Sequence, residues 1–314
     1  MATLTASIPM APTEVFASFK KLVVAYDFSP HADIALDYAL DLATKQNSEI
    51  ILVHVQSPDD DAVPAGEEAE AAHKLIPDLS ERLEQKAARC RKLGADTRWL
   101  RRAGSTAKGL AMAVADLQPD VLFLGAYGNN RLDRKVLGST AESFLRTLPC
   151  PVVTIGPKAA KKKFDPNQPE KVICPIDFPE DVHERLRIIS GLARALGADV
   201  ELVHAVDVCH EFSLPHNATD TQFEFDLLVE WFQREGVEAQ STLLYGAPER
   251  VISERAQAVN AHYIMFGLHE NGNFSSYSRK SLVAKVIKYA PCPIFTFAQA
   301  ARRTRFVDGG RGQR

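Results

Sequence analysis

At 314 residues the chain is long for one domain and comfortable for two of about 150 residues, each able to bury its own core. With 46% hydrophobic, 25% charged and 8% aromatic residues and a net charge of −3, it has the make-up of an ordinary globular protein, without the positive excess that a nucleic-acid or membrane surface calls for. Five scattered cysteines with no CxxC pair, a start without a basic-then-apolar leader and no apolar run of bilayer length lead us to expect a cytoplasmic protein with no membrane contact and no metal site.

In chain order, short apolar runs alternate with amphipathic ones. LVVAY (22–26) is followed by a helical pattern at 31–46, IILVHV (50–55) by one at 67–93, DTRWLRR (96–102) by one at 106–117, and VLFLG (121–125) by one at 138–147, before PVVTI at 151–155. Continuous β-branched runs, each feeding a helix, predict an α/β domain with a five-stranded parallel sheet covered on both faces. The third run is polar and alternating and belongs at an edge, which gives the strand order 3-2-1-4-5. The topological switch point then falls between strands 1 and 4, and in open α/β sheets the crevice outside the carboxyl ends of the strands at that point is where ligands bind.

The same pattern returns. KLVVAYDF (21–28) matches KVICPIDF (171–178) and IILVHV (50–55) matches VELVHA (200–205) at a displacement of 150; Gly104 matches Gly246, Gly125 matches Gly267 and PCPVVTI (149–155) matches PCPIFTF (291–297) at a displacement of 142. Two tandem copies of one domain follow, the second eight residues shorter between its second and third strands. The boundaries read as a first domain at 19–158, a linker at 159–168, a second domain at 169–298 and a basic tail at 299–314. The last strand of each copy is an apolar sheet edge in need of cover, which predicts self-association through it, as an internal pseudo-dimer or a homodimer.

The ends of the first copy's strands carry the chemistry. Asp27 follows strand 1 and Val55 closes strand 2. After strand 4 runs Gly125-Ala-Tyr-Gly128, then nine residues, then Gly138-Ser139-Thr140 at the start of a helix. Glycines give positive φ and close backbone approach, and a helix N-terminus offers unpaired N–H groups to an anion. Ser139 is expected to cap that helix, and Arg131 in the loop to add charge.

This glycine spacing, the Asp27 setting, the LVHV strand and the PCPV terminus resemble the universal stress protein family, across nearly the whole chain and twice over. The resemblance implies the adenine nucleotide alpha hydrolase-like fold and a subclass that binds ATP, with Mg2+ as a potential companion. Asp27 and Val55 would hold the adenosine end, and Gly125, Gly128, Arg131, Gly138, Ser139 and Thr140 the phosphates. It also implies a non-enzymatic role in stress response or signalling through a protein partner that the residues do not identify. A slow ATPase and a ligand-free interaction scaffold stand as alternatives, and Asp133, the nearby acid, reads more simply as a solvated loop residue.

The second copy keeps Asp177 but replaces the second and third glycines by Glu270 and Lys280. A carboxylate in a phosphate loop opposes an anion by roughly 1 kcal/mol at 4 Å in bulk water and by several times that in a shielded cleft. One nucleotide per chain is therefore expected. Gly104-Ser-Thr-Ala-Lys-Gly109 has the outline of a P-loop, but Leu110 and Ala111 stand where Lys and Ser/Thr belong, so it reads as a turn into a helix. His204, Cys209, His210 and His216 lack a zinc spacing and read as loop residues, Lys161–Lys163 as a solvated stretch, and Phe223, Leu227 and Trp231 as the packed face of a helix.

Overall fold

The computed structural model describes residues 18–56, 78–128, 137–162, 165, 167–176, 182–206, 218–268 and 279–298. The first copy comprises β1 (Lys21–Ala25), α1 (Pro30–Gln46), β2 (Glu49–Gln56), α2 (Leu79–Lys92), β3 (Thr97–Ala103), α3 (Thr106–Leu117), β4 (Val121–Gly125), α4 (Ser139–Thr147) and β5 (Val152–Ile155). The second comprises β6 (Glu170–Pro175), α5 (Val182–Leu196), β7 (Ala198–Val206), α6 (Ala218–Arg234), β8 (Ala239–Tyr245), α7 (Pro248–Ala258), β9 (Tyr263–Leu268), α8 (Arg279–Tyr289) and β10 (Ile294–Ala298). The 299–314 tail, Cys209, His210 and His216 lie outside the described residues.

Local chemistry sets the boundaries. In α1 the Ser29 hydroxyl accepts the Ala32 N–H at 3.1 Å, Pro30 supplies the pre-set φ of the first turn, and Asn47 ends the helix in the left-handed region at φ +54°. Gly104, at φ +120°, makes the turn from β3 into α3, as the turn reading of that segment requires.

The strands form one ten-stranded sheet in the order β3-β2-β1-β4-β5-β10-β9-β6-β7-β8. Each half has the expected order, and the polar third strand of each, β3 and β8, is the outer edge. Pairing within each half is parallel, whereas β5 and β10 pair antiparallel through Thr154–Ile294, Val153–Phe295 and Val152–Thr296. Side chains alternate across the strands. Leu22, Val24 and Tyr26 join α1, α2, α5 and α6 in one core, while Val23, Ile51 and Val53 join α3, α4, α7 and α8 in the other. Both cores run through both halves.

Further contacts lock the halves together. Gly156, just after β5, approaches α8 so closely that a Cβ there would stand 2.1 Å from the Ile287 carbonyl oxygen. The far end of α1 docks on the second half: the Gln46 amide donates to the Ala195 carbonyl, and Lys45 bridges Asp41 (2.7 Å) and the buried Glu170 (2.5 Å). Lys161 is exposed, as the sequence suggests, and pairs with Asp37 at 2.8 Å, whereas Lys162 is half-buried and donates to Asn260 at 2.7 Å and to the Ala261 carbonyl; Lys163 lies outside the described residues.

One sequence reading fails on α6. Phe223 is 64% exposed and Leu227 40%, and the packed face is instead Phe225, Leu228, Trp231 and Phe232. A helix with apolar residues at both spacings admits two rotations, and the sheet selects the one that buries two phenylalanines. His204 is likewise not a loop residue: it lies on β7, with Nδ1 2.9 Å from the Ile176 carbonyl oxygen.

Burial pushes the Glu170 carboxyl up to about 7, against the pull of Lys45. Folding therefore favours the protonated form between the ordinary carboxylate range and neutrality, and the stability this confers at low pH is lost as pH rises through about 7. Urea denaturation across pH 4.5–8 should show the stability of wild type relative to Glu170→Gln falling with pH over that range. A difference independent of pH would contradict the burial of an ionisable group at this joint.

Candidate nucleotide site

The crevice at the carboxyl ends of β1, β2 and β4 is a cavity of about 710 Å3, within the size range of small-molecule sites of roughly 300–1,000 Å3. Asp27, Val55, Gly125, Gly128, Gly138, Ser139 and Thr140 all line it. Arg131, like Asp133, lies outside the described residues.

Strand lengths create the opening. The β1–β2 ladder closes with Tyr26 N–H donating to the Val53 carbonyl at 2.9 Å, and His54 Nδ1 sits 2.8 Å from the Tyr26 carbonyl oxygen. Val55 has the same parity as Val53, so its backbone N–H and C=O face the β1 side after β1 has ended. Across from it, Asp27 Oδ1 accepts the Ser29 N–H at 3.0 Å, while Oδ2 faces Gly128.

Between these groups Phe28 holds φ +62°, a left-handed conformation uncommon for a bulky residue. Its ring is held edge-on by Tyr26 at 5.1 Å and by His54 at 5.3 Å, and the Arg82 guanidinium stands 4.0 Å over it. The two tyrosines of the lining leave room for a ligand. Tyr26, 2% exposed, donates its hydroxyl to Asp33, and Tyr127, 5% exposed, packs into the core beneath α3 and α4.

The glycines act differently from the sequence expectation. None of Gly125, Gly128 and Gly138 has positive φ among the described glycines; what they provide is space. A Cβ on Gly138 would stand 2.9 Å from the Ala126 carbonyl oxygen, which accepts the Gly138 N–H at 2.9 Å and so pins the start of α4 to the loop after β4. On Gly125 it would meet His31 Cβ at 3.2 Å, and on Gly128 it would protrude toward Asp27 Oδ2 at 3.5 Å. Gly138, not Ser139, is the N-cap, with extended backbone and no side-chain cap. The first intrahelical bond is Glu142 N–H to Gly138 C=O at 2.9 Å, so the N–H groups of Ser139, Thr140 and Ala141 precede the helical ladder at the cavity wall. This donor set fits a phosphate chain.

Phe28, His54, Arg82, Ser105, Thr106 and Leu110 also line the cavity, and the sequence pattern does not assign any of them to it. The recurrence of His in LVHV and LVHA was a signal for His54. Gly104-Ser105-Thr106 reads in the sequence as a turn; α3 begins there, and its first turn faces the same space.

The second half repeats the framework, with a larger side chain packed against its fourth strand. Ile176 N–H donates to the Val203 carbonyl at 2.8 Å, and His204 repeats the contact of His54. At the displacement of 150, however, Ala35 of α1 corresponds to Arg185 of α5, which is 1% exposed. A Cβ on Gly267 would meet Arg185 Cγ at 2.6 Å and Phe297 Cε2 at 3.1 Å. α8 starts at Arg279, so Lys280 falls inside the helix, whereas its counterpart Gly138 is the extended residue before one. Asp177 and Glu270 lie outside the described residues.

These features define a tandem pair of doubly wound α/β domains of the adenine nucleotide alpha hydrolase-like fold, with a formed crevice in the first. The sequence profile of the universal stress protein family matches residues 18–156 and 169–297. The chain belongs to the universal stress protein family, in tandem form. It is similar to a universal stress protein of Archaeoglobus fulgidus at a TM-score of 0.65 and 18% identity, over 89% of this chain and 98% of that one. A structure from Pseudomonas aeruginosa has a TM-score of 0.59 and 16% identity, over 89% of this chain and 93% of that one. A relative named as a universal stress protein in Staphylococcus haemolyticus is 23% identical over 153 residues, 48% of this chain and 92% of the relative.

Because the Gly138 Cβ would collide with backbone, Gly138→Ala should lower the unfolding free energy by about 1–3 kcal/mol. Gly128→Ala, whose Cβ enters open cavity, should change it by less than about 0.5 kcal/mol. Urea denaturation of the two variants decides this, and equal costs would contradict the separate roles assigned to the glycines.

Proposed function

We propose that the first domain binds an adenine nucleotide, ATP with or without Mg2+, and that the protein acts as a non-enzymatic stress-response or signalling protein. The observation that carries this reading is the convergence on one cavity of Asp27 Oδ2, the Val55 backbone and the N–H groups of Ser139, Thr140 and Ala141. A hydroxylated sugar suits the carboxylate, a base edge suits the peptide groups of Val55, and phosphates suit the positive end of α4. The loop glycines let the phosphate chain approach the backbone, and Arg131 is the residue proposed to supply charge there.

Catalysis would need more than this lining offers. Asp27 is the one carboxylate among the described lining residues, and its Oδ1 is tied to Ser29 N–H. The Nδ1 of His54 is tied to the Tyr26 carbonyl. Neither is placed as a dedicated water-activating base, which favours occupancy over turnover as the signal. Occupancy can drive a partner interaction only if the two states of the interface differ in nucleotide affinity. The second domain is read as structural, on the ground that Arg185 packs against Gly267 where the first domain has Ala35.

Calorimetric titration of the full chain should give one ATP per chain, and ATP at 100 times its dissociation constant should raise the unfolding free energy by about 2.7 kcal/mol. Gly128→Glu should abolish the heat while leaving the melting curve of the ligand-free protein in place. Two equivalent sites, or a Gly128→Glu protein that binds as wild type does, would overturn the proposal.

A further inference from the structure

α2 faces α1 through a ladder of charges. Lys86 pairs with Asp33 at 2.6 Å and Arg89 with Asp37 at 3.6 Å, the acids standing one turn apart on α1. Arg82 is the next cation of this row, one turn before Lys86, and at the corresponding step α1 has run out: the residue a turn before Asp33 is Ser29, its N-cap. Among the described residues no carboxylate lies within 4.0 Å of Arg82. Its guanidinium is held instead over the ring of Phe28 at 4.0 Å, half-buried, and it lines the cavity.

Its place in the cavity selects its role. Arg82 comes from the face of the sheet covered by α1 and α2, and Leu110 of α3 from the opposite face. Both line the cavity together with Val55. The α4 N-terminus belongs to the other side of β1, and since β2 and β4 flank β1 the two ends of the cavity stand roughly 10 Å apart. A guanidinium is planar and weakly hydrated, and stacks on a π face where an ammonium presents only a point charge.

We propose that Arg82, fixed on Phe28, is a ligand-binding residue that stacks on the aromatic base of the ligand, opposite Leu110 and Val55, and takes no part in holding phosphate. This rests on the nucleotide reading of the cavity and adds to it how the base is held. The left-handed backbone of Phe28 then has a function, because it turns the ring toward the guanidinium and fixes the platform before ligand arrives.

Calorimetry on the full-length protein with adenosine, ATP and inorganic triphosphate separates the outcomes. Arg82→Ala and Arg82→Lys should each weaken adenosine and ATP by a common factor of about tenfold and leave triphosphate unchanged; Arg82→Lys keeps the charge, so its loss reports the missing plane. Weakening of ATP and triphosphate without adenosine would overturn the proposal in favour of a phosphate contact, as would wild-type adenosine affinity in Arg82→Lys. Binding indifferent to residue 82 overturns this proposal alone. Failure of the wild-type chain to bind either adenosine or ATP overturns the nucleotide reading, and this one with it.

Discussion

The antiparallel pairing of β5 with β10 determines the rest of the architecture. Each half on its own would end in an apolar strand with an open row of N–H and C=O groups, and each covers the other. The join makes one sheet and two cores that run through both halves, so neither copy is an independent layer. It also consumes both last strands, which leaves β3 and β8 as the edges of the molecule. β3 is an edge with its charges engaged: Arg98 pairs with Glu49 and Arg102 with Asp116. Because the two halves run in opposite senses, their crevices open at opposite margins of the sheet. The link between them is α1, about 25 Å long, which begins two residues after Phe28 of the cavity lining and whose last residues, Lys45 and Gln46, contact Glu170 and Ala195 of the second half.

The two copies of the framework differ at their crevices. The β1–β2 closure and its histidine recur in the second half to within 0.1 Å. The difference lies in volume. Where α1 has Ala35, α5 has Arg185, and its stem occupies the ground beneath Gly267. Where α4 is preceded by an extended glycine, α8 already includes Lys280. Burying an arginine is costly unless its polar atoms are satisfied, so Arg185 at 1% exposure is a marked departure from the alanine at the matching place in the first half.

Much of this was legible in the sequence because it depended on local pattern. Apolar runs such as VLFLG gave the strands, the polar TRWLRR gave the edge, and the repeat gave the second half without further assumption. What could not be read depended on contacts between distant segments. Gly138 is required because the Ala126 carbonyl lies against it, and the spacing alone suggested a backbone conformation that the glycine does not adopt. Arg82 sits in a helix of ordinary charged composition and becomes part of the cavity only because α1 stops one turn short of it. Phe223 and Leu227 keep perfect helical spacing, yet the sheet chose Phe225 and Phe232.

The central claim is that nucleotide occupies the first crevice and not the second. Hydrogen exchange of the full chain with and without saturating ATP tests both halves in one measurement. Slowed exchange at residues 137–141 and 55–56, with residues 203–206 and 279–283 unchanged, is the predicted result. Equal protection of both sets, or protection confined to the second, would contradict the account.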